Sequence, residues 1–270
     1  MTGQVHAIGD VHGHLGKLDR ALTLVEADGG AGGRTVLVGD LVDRGPDGRA
    51  VIERLMRGQA EGRDWTVLLG NHDRFLLRAL RHGSLHEEDH PEVPRWRALV
   101  GADGTVGALR AAGPSWLSPS MGGAATLASY GVDVADERKV AGILADARRL
   151  VPESHLDRLE GLPLLHEAGD LLFVHAGIRP GVPLSEQDEE DLVWIRHPFL
   201  DHDAPMGRLV VHGHTPERFP VHYGNRVAID AGAAFGRPLV PVAFEGTDAF
   251  TMDEGGRTPL RPPEGAPNWR

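Results

Sequence analysis

Residues 35–47 read TVLVGDLVDRGPD. The stretch opens like a buried strand, from Thr35 to Val38, and then runs straight into two aspartates, an arginine and a Gly-Pro turn. Carboxylates so close to a core are costly unless a donor, a cation or a metal pairs them. What pairs Asp40 and Asp43 therefore decides how the chain is read. On the N-terminal side, QVHAI (4–8) is short and rich in strand formers, and Leu15, Leu18, Leu22 and Val25 fall on one helical face. On the C-terminal side, Val51, Ile52, Leu55 and Met56 have helical spacing, and TVLL (66–69) reads as a third strand. The order βαβαβ predicts parallel strands joined by right-handed crossovers.

From Phe75 to about Leu165 the pattern changes to helical and loop segments, with a Gly-Pro break at 113 and 114 and a helix expected over 137–150. We read one domain over 1–250 with a cap insertion at about 76–165. Strand-like runs return at LLFV (171–174), RLVV (208–211), RVAI (226–229) and VPVAF (240–244). The end, 251–270, is rich in Pro and Gly and is expected to be loose.

The 270 residues are 41% hydrophobic and 25% charged, without a run of roughly 20 apolar residues such as a membrane span needs. The N-terminus lacks the basic and apolar regions of a secretory signal, so a cytoplasmic protein with no membrane partner is expected. A formal charge of -11 argues against a nucleic-acid surface and requires a local positive site for any anionic substrate. With no cysteine, a metal site would have to use His, Asn and carboxylate ligands.

Such residues stand just after the apolar runs: Asp10 and His12 after the first, Asp40 and Asp43 after the second, and Asn71, His72 and Asp73 after the third. His175 follows LLFV, and His212 and His214 follow RLVV. Ligands in open α/β sheets collect at the carboxyl ends of the strands, which would bring these residues to one edge. Carboxylate, imidazole and amide oxygen suit borderline divalent ions, and two ions would share this many ligands. Asp40 is then the bridging carboxylate, neutralised by two cations at the end of a buried strand. Asp43 lies beyond the metal, and Arg44 can face a bound anion. On an extended strand His212 and His214 would share a face, so spacing does not choose between them.

The blocks GDVHG (9–13), GDLVDRG (39–45), GNHD (70–73), VHAG (174–177) and GHT (213–215) resemble, in order, the signatures of the phosphoprotein phosphatases within the calcineurin-like metallophosphoesterases, particularly the bacterial and phage members. The resemblance implies an α/β (α+β) fold with a central β-sandwich flanked by helices and a helical cap insertion. It implies two divalent ions, manganese first with iron or zinc as alternatives. Asp10, His12 and Asp40 would hold one, and Asp40, Asn71, His175 and His214 the other. By the same resemblance Arg44 and Arg196, with Asn71, grip phosphate oxygens, and His72 is the general acid with Asp43 holding its ring. GHT favours His214 over His212 as the ligand. The role of Asp73 is left open, since the phosphatases of higher cells more often have Glu there, and it can simply cap a helix.

The implied activity is a metal-dependent phosphomonoesterase, a serine/threonine protein phosphatase acting on a phosphorylated protein or a small phosphoester, with phosphotyrosine as a further substrate class. Paired cations lower the pKa of a shared water, which then attacks phosphorus in line. A hydrolase of dinucleoside polyphosphates is the first alternative; it shares GDVHG and GNHD but tends to lack the aspartate at position 43. A metal-holding module without catalysis is the second, and a proton donor with a phosphate clamp weighs against it. HEEDH (86–90) formally matches the H-E-x-x-H zinc motif, which needs a regular helix; Gly83, Pro91 and Pro94 around it argue against one.

Overall fold

A computed structural model describes residues 3–30, 32–85, 104–112 and 115–269. HEEDH lies outside them. β1 (Val5–Ile8), α1 (Leu15–Gly29), β2 (Thr35–Leu37), α2 (Gly48–Ala60) and β3 (Trp65–Val67) form the βαβαβ run, with β1, β2 and β3 parallel. After α3 (Asn71–His82) come α4 (Val106–Ala112), α5 (Gly123–Ser129), α6 (Val140–Leu150) and α7 (Glu153–Glu160). The second half holds β4 (Leu165–Ala168), β5 (Leu171–Val174), α8 (Glu189–Trp194), β6 (Leu209–His212), β7 (Val221–His222) and β8 (Arg226–Ala228). Then follow β9 (Val242–Glu245), β10 (Asp248–Asp253) and β11 (Gly256–Leu260).

Two mixed sheets result, ordered β11-β10-β9-β1-β2-β3 and β4-β5-β6-β8-β7. In the second, β5, β6 and β8 run parallel. Strand alternation explains why the sheets face each other. Val5 and Ala7 of β1, and Val36 with Val38 at β2, meet Phe173 of β5, Val211 of β6 and Phe244 of β9 in one buried cluster between the layers. The intervening residues face outward: Ile8 and Leu37 pack on the helical side, and Leu172, Val174 and Val210 pack on Leu192, Ile195 and Phe199. Both faces of the central strands are apolar because both are covered.

The helices obey the same logic. Leu18, Ala21, Leu22 and Val25 of α1, and Val51, Ile52 and Leu55 of α2, are buried in the cluster that also takes Leu109, Leu127, Ile143 and Leu159 from the following segment. At about 1.5–3 kcal/mol for each large apolar side chain fully removed from water, this shared core binds those helices to the first sheet.

Two expectations are corrected. The helix expected over 137–150 begins at Val140, because Lys139 is held extended in a bridge with Thr105. The end of the chain is not uniformly loose: β10 and β11 form a hairpin at the edge of the first sheet, and Trp269 packs against the inter-sheet cluster. Proline at 259 is tolerated in β11 because that strand is an edge. Among the described residues, no helix is long and apolar enough to cross a membrane.

Candidate metal centre and active site

The parallel strands of both sheets end at one rim, and the loops leaving them interlock. The backbone N–H groups of Val11 and His12 donate to the Asp40 carbonyl at 3.1 and 2.8 Å, and Gly213 N–H donates to the His175 carbonyl at 2.8 Å. Glycine permits this close approach: a Cβ on Gly70 would lie 2.2 Å from the Asp40 nitrogen, and one on Gly213 would lie 2.0 Å from Asp10 Oδ1. Among the described residues, five other than glycine have φ in the left-handed region: His12, Asp40, Asp43, Arg44 and His214. All five are residues that the sequence marks for the site. Such backbone costs about 1–3 kcal/mol per residue and persists only where the surroundings enforce it.

Asp10, His12, Asp40, Asn71, His175 and His214 are all buried. Asp40 is at their centre, its Oδ2 3.5 Å from His12 Nε2 and its Oδ1 3.4 Å from His175 Nε2. Its Oδ1 also accepts the His72 backbone N–H at 2.9 Å. Asp10, Asp40 and His175 form one candidate metal-holding group, and His12, Asp40 and His72 another, the ligand atoms of each lying within 4.8 Å of one another. Ring orientation favours ligation. The Nδ1 of His175 donates to the Val38 carbonyl at 2.8 Å and that of His12 to the Val42 carbonyl at 3.1 Å, which leaves each Nε2 with a lone pair. The lone pair of His175 faces Asn71 Oδ1 at 2.9 Å, and His214 Nδ1 is 3.0 Å from the same oxygen.

Electrostatics lead to the same requirement. Burial holds His12, His175 and His214 below the usual histidine range, so they are neutral at pH 7 and able to ligate. Burial, then the nearby Asp230 and Asp40, push the Asp10 carboxyl well above the carboxylate range. Clustered carboxylates among neutral imidazoles lack the positive charge that divalent ions carry, so the donor set fits such ions.

Asp43 is fully buried and saturated. Its Oδ2 accepts His72 Nδ1 at 2.7 Å and Trp116 Nε1 at 2.8 Å, and its Oδ1 accepts the Thr126 hydroxyl at 2.6 Å. His72 therefore presents Nε2 outward, 3.1 Å from Arg44 Nη2; Arg44 Nη1 lies 2.7 Å from His12 Nε2. Arg196, in the bend after α8, is exposed, and its charge acts on His175 and His214.

Asp73 is not only a cap: besides accepting Gly70 N–H, its Oδ1 accepts the N–H groups of Leu41 and Val42 at 2.9 and 3.3 Å and ties α3 to the loop after β2. His212 separates from His214 because β6 ends at His212 and His214 turns to φ 62°. The His212 ring packs edge-on against Phe199 at 5.0 Å, away from Asn71.

Sequence reasoning missed three residues. Asp230 is buried just after β8, with its carboxyl pushed up to about 6, chiefly by burial. The rule that found the others, a polar residue following an apolar strand, applies to it equally. Trp116 and Thr126 reach Asp43 from the insertion, across 73 and 83 residues of chain, and no local signal marks them.

A two-sheet α/β fold with carboxylate, imidazole and amide donors gathered at its strand ends defines a metal-dependent phosphoesterase architecture. Residues 3–240 match the family described as calcineurin-like phosphoesterase, and the chain belongs to that family. Among curated relatives, a bis(5'-nucleosyl)-tetraphosphatase, symmetrical, of Bordetella pertussis is 43% identical over 29% of this chain and 27% of its own length. A protein of the same name from Methylococcus capsulatus is 34% identical over 42% of this chain and 44% of its own. The chain thus spans less than half the length of these relatives. Among solved structures, one described as a candidate diadenosine tetraphosphatase covers 97% of this chain and 95% of its own at 20% identity, with a TM-score of 0.58. The cold-active protein-tyrosine phosphatase of a psychrophilic Shewanella covers 97% and 81% at 15% identity, with a TM-score of 0.55. These likenesses are in fold.

Proposed function

We propose that the chain is a two-metal hydrolase of dinucleoside polyphosphates, cutting a phosphoric anhydride with water. The observation that carries this reading is the name shared by the curated relatives, bis(5'-nucleosyl)-tetraphosphatase, at 43% and 34% identity. It moves the weight from the serine/threonine protein phosphatase expected from the sequence blocks to the first alternative. We assign Asp10, His12 and Asp40 to one ion and Asp40, Asn71, His175 and His214 to the other. Bound there, the ions supply an activated water and neutralise phosphate oxygens. Manganese is the first ion to test, because the donor set contains oxygen and imidazole without thiolate.

The chain's own groups do the rest. Arg44 and Arg196 offer planar forks to phosphate oxygens. The new bond joins the water oxygen to phosphorus, the bridging P–O bond breaks, and His72 Nε2 can give the departing oxygen a proton while Asp43 holds Nδ1.

One observation favours the second reading, a protein phosphatase. A phosphate leaving group, with a pKa of about 6, needs little protonation, whereas a serine or threonine alkoxide needs it greatly. An acid braced as His72 is by Asp43, Trp116 and Thr126 suits the poorer leaving group. The experiment is hydrolysis of diadenosine tetraphosphate and of a phosphothreonine peptide side by side, after chelation and return of manganese. Faster cleavage of the dinucleotide than of the peptide is expected; faster cleavage of the peptide would reverse the assignment.

A further inference from the structure

Two large apolar side chains are exposed among the described residues, Phe219 at 66% and Phe235 at 60%. They flank the same feature. Phe219 lines a cavity of about 460 Å³ whose floor includes Leu24, Leu239 and Met252, and Gly236, next to Phe235, lines it as well. The Phe235 ring lies 5.6 Å from the Arg44 guanidinium carbon, and Arg44 touches both His12 and His72. The cavity therefore begins one residue from a side chain that borders the candidate active site.

Its charges are uneven. Arg20 is paired with Glu254, and Asp253 accepts the Gly255 N–H at 2.7 Å. Lys17 and Arg237 donate to the backbone carbonyls of Ala233 and Glu217, at 2.6 and 2.8 Å, and among the described residues neither sits in an ion pair. With Lys17, Arg20 and Arg237 set against Asp253 and Glu254, the lining carries one cation more than it has carboxylates, and in a chain with a formal charge of -11 that makes a local site for an anion. An exposed phenyl face over an apolar floor suits a flat ring. Flat ring and anion together describe a nucleotide.

We propose that this cavity holds the distal nucleotide of a dinucleoside polyphosphate, its base against Phe219 and its phosphates near Lys17 and Arg237, with the phosphate chain passing Phe235 to reach Arg44. The proposal rests on the dinucleoside polyphosphate reading. It explains why two phenyl rings stay in water along one edge, which a phosphomonoesterase acting only at the metal centre would not require.

The test compares wild type with Phe219→Ala and Phe219→Trp on diadenosine tetraphosphate and on p-nitrophenyl phosphate, which has no distal half. ADP binding is measured in parallel by calorimetry on the manganese-loaded protein. Phe219→Ala should raise KM for the dinucleotide and weaken ADP binding about tenfold, as loss of a base-stacking ring does. Its kcat and its p-nitrophenyl phosphate kinetics should be unchanged, and Phe219→Trp should retain wild-type KM. Because Phe219 is mostly exposed, unchanged thermal midpoints will show that the variants fold. If wild type cleaves the dinucleotide and Phe219→Ala leaves its KM unchanged, the cavity assignment fails and the functional reading stands. If wild type does not cleave it, the functional reading fails and the cavity assignment, which rests on it, fails with it.

Discussion

His72 and His212 are both buried histidines beside apolar strands, and their surroundings give them opposite roles. Asp43 holds the ring of His72 and leaves Nε2 to face the site. His72→Ala should therefore cost about 10²–10⁴ in rate on an alkyl phosphate and much less on p-nitrophenyl phosphate, whose leaving group needs no proton. Equal losses on the two would remove His72 from the acid role. His212 is packed against Phe199, and burial lowers its pKa to about 3. A histidine whose folded pKa lies below its unfolded value binds its proton more readily when unfolded. Its contribution is thus intact above the unfolded value of about 6.5 and is lost as pH falls below it. In chelator-treated protein, His212 should account for a loss on the order of 2 kcal/mol between pH 7 and pH 5. Urea unfolding of His212→Leu at the two values should show a correspondingly smaller drop; an unchanged drop would contradict the assignment.

At the scale of elements, the loops after β1, β2 and β3 act as one unit, tied by Asp40 and Asp73. The insertion joins them through Trp116 and Thr126. Trp116→Phe keeps an aromatic ring at this buried site, leaves a small void in place of the larger indole, and removes a hydrogen bond to a buried carboxylate, an interaction of about 1.5–3 kcal/mol. We expect kcat on an alkyl phosphate to fall about tenfold with metal content unchanged, measured by steady-state kinetics and elemental analysis together. Unaltered kcat would mean that Thr126 and the protein around Asp43 hold the dyad without the tryptophan. The first three strands were legible because each is a short apolar run ending in a polar cluster. The β10–β11 hairpin was not, because the Gly and Pro of 254–263 mimic a tail and only pairing with β9 makes them a sheet edge.

At the scale of the molecule, the sandwich places the ends of two separate parallel sets of strands at one rim, so a single carboxylate can serve both sides. Asp40 lies within 3.5 Å of His12 from the first sheet and 3.4 Å of His175 from the second. Wild type should bind two ions per chain, and Asp40→Asn should lose both, by elemental analysis after dialysis against manganese. A variant that still holds two would refute the bridging role.

The sequence by itself determined the candidate ligand types and their order along the chain, the parallel βαβαβ start, and, through the family resemblance, the pairing of Asp43 with His72. These survive translation to one dimension because they depend on residue identity just after an apolar run. Only the tertiary structure decided that Asp230 joins the carboxylates and that Trp116 and Thr126 saturate Asp43 from far along the chain; spacing left His212 and His214 equal, the GHT block favoured His214, and the turn of the backbone at His214 is what separates them. Left-handed φ at five site residues belongs with these. Such backbone is unfavourable locally and is adopted only where the packed loops of two sheets enforce it, which no window of sequence contains.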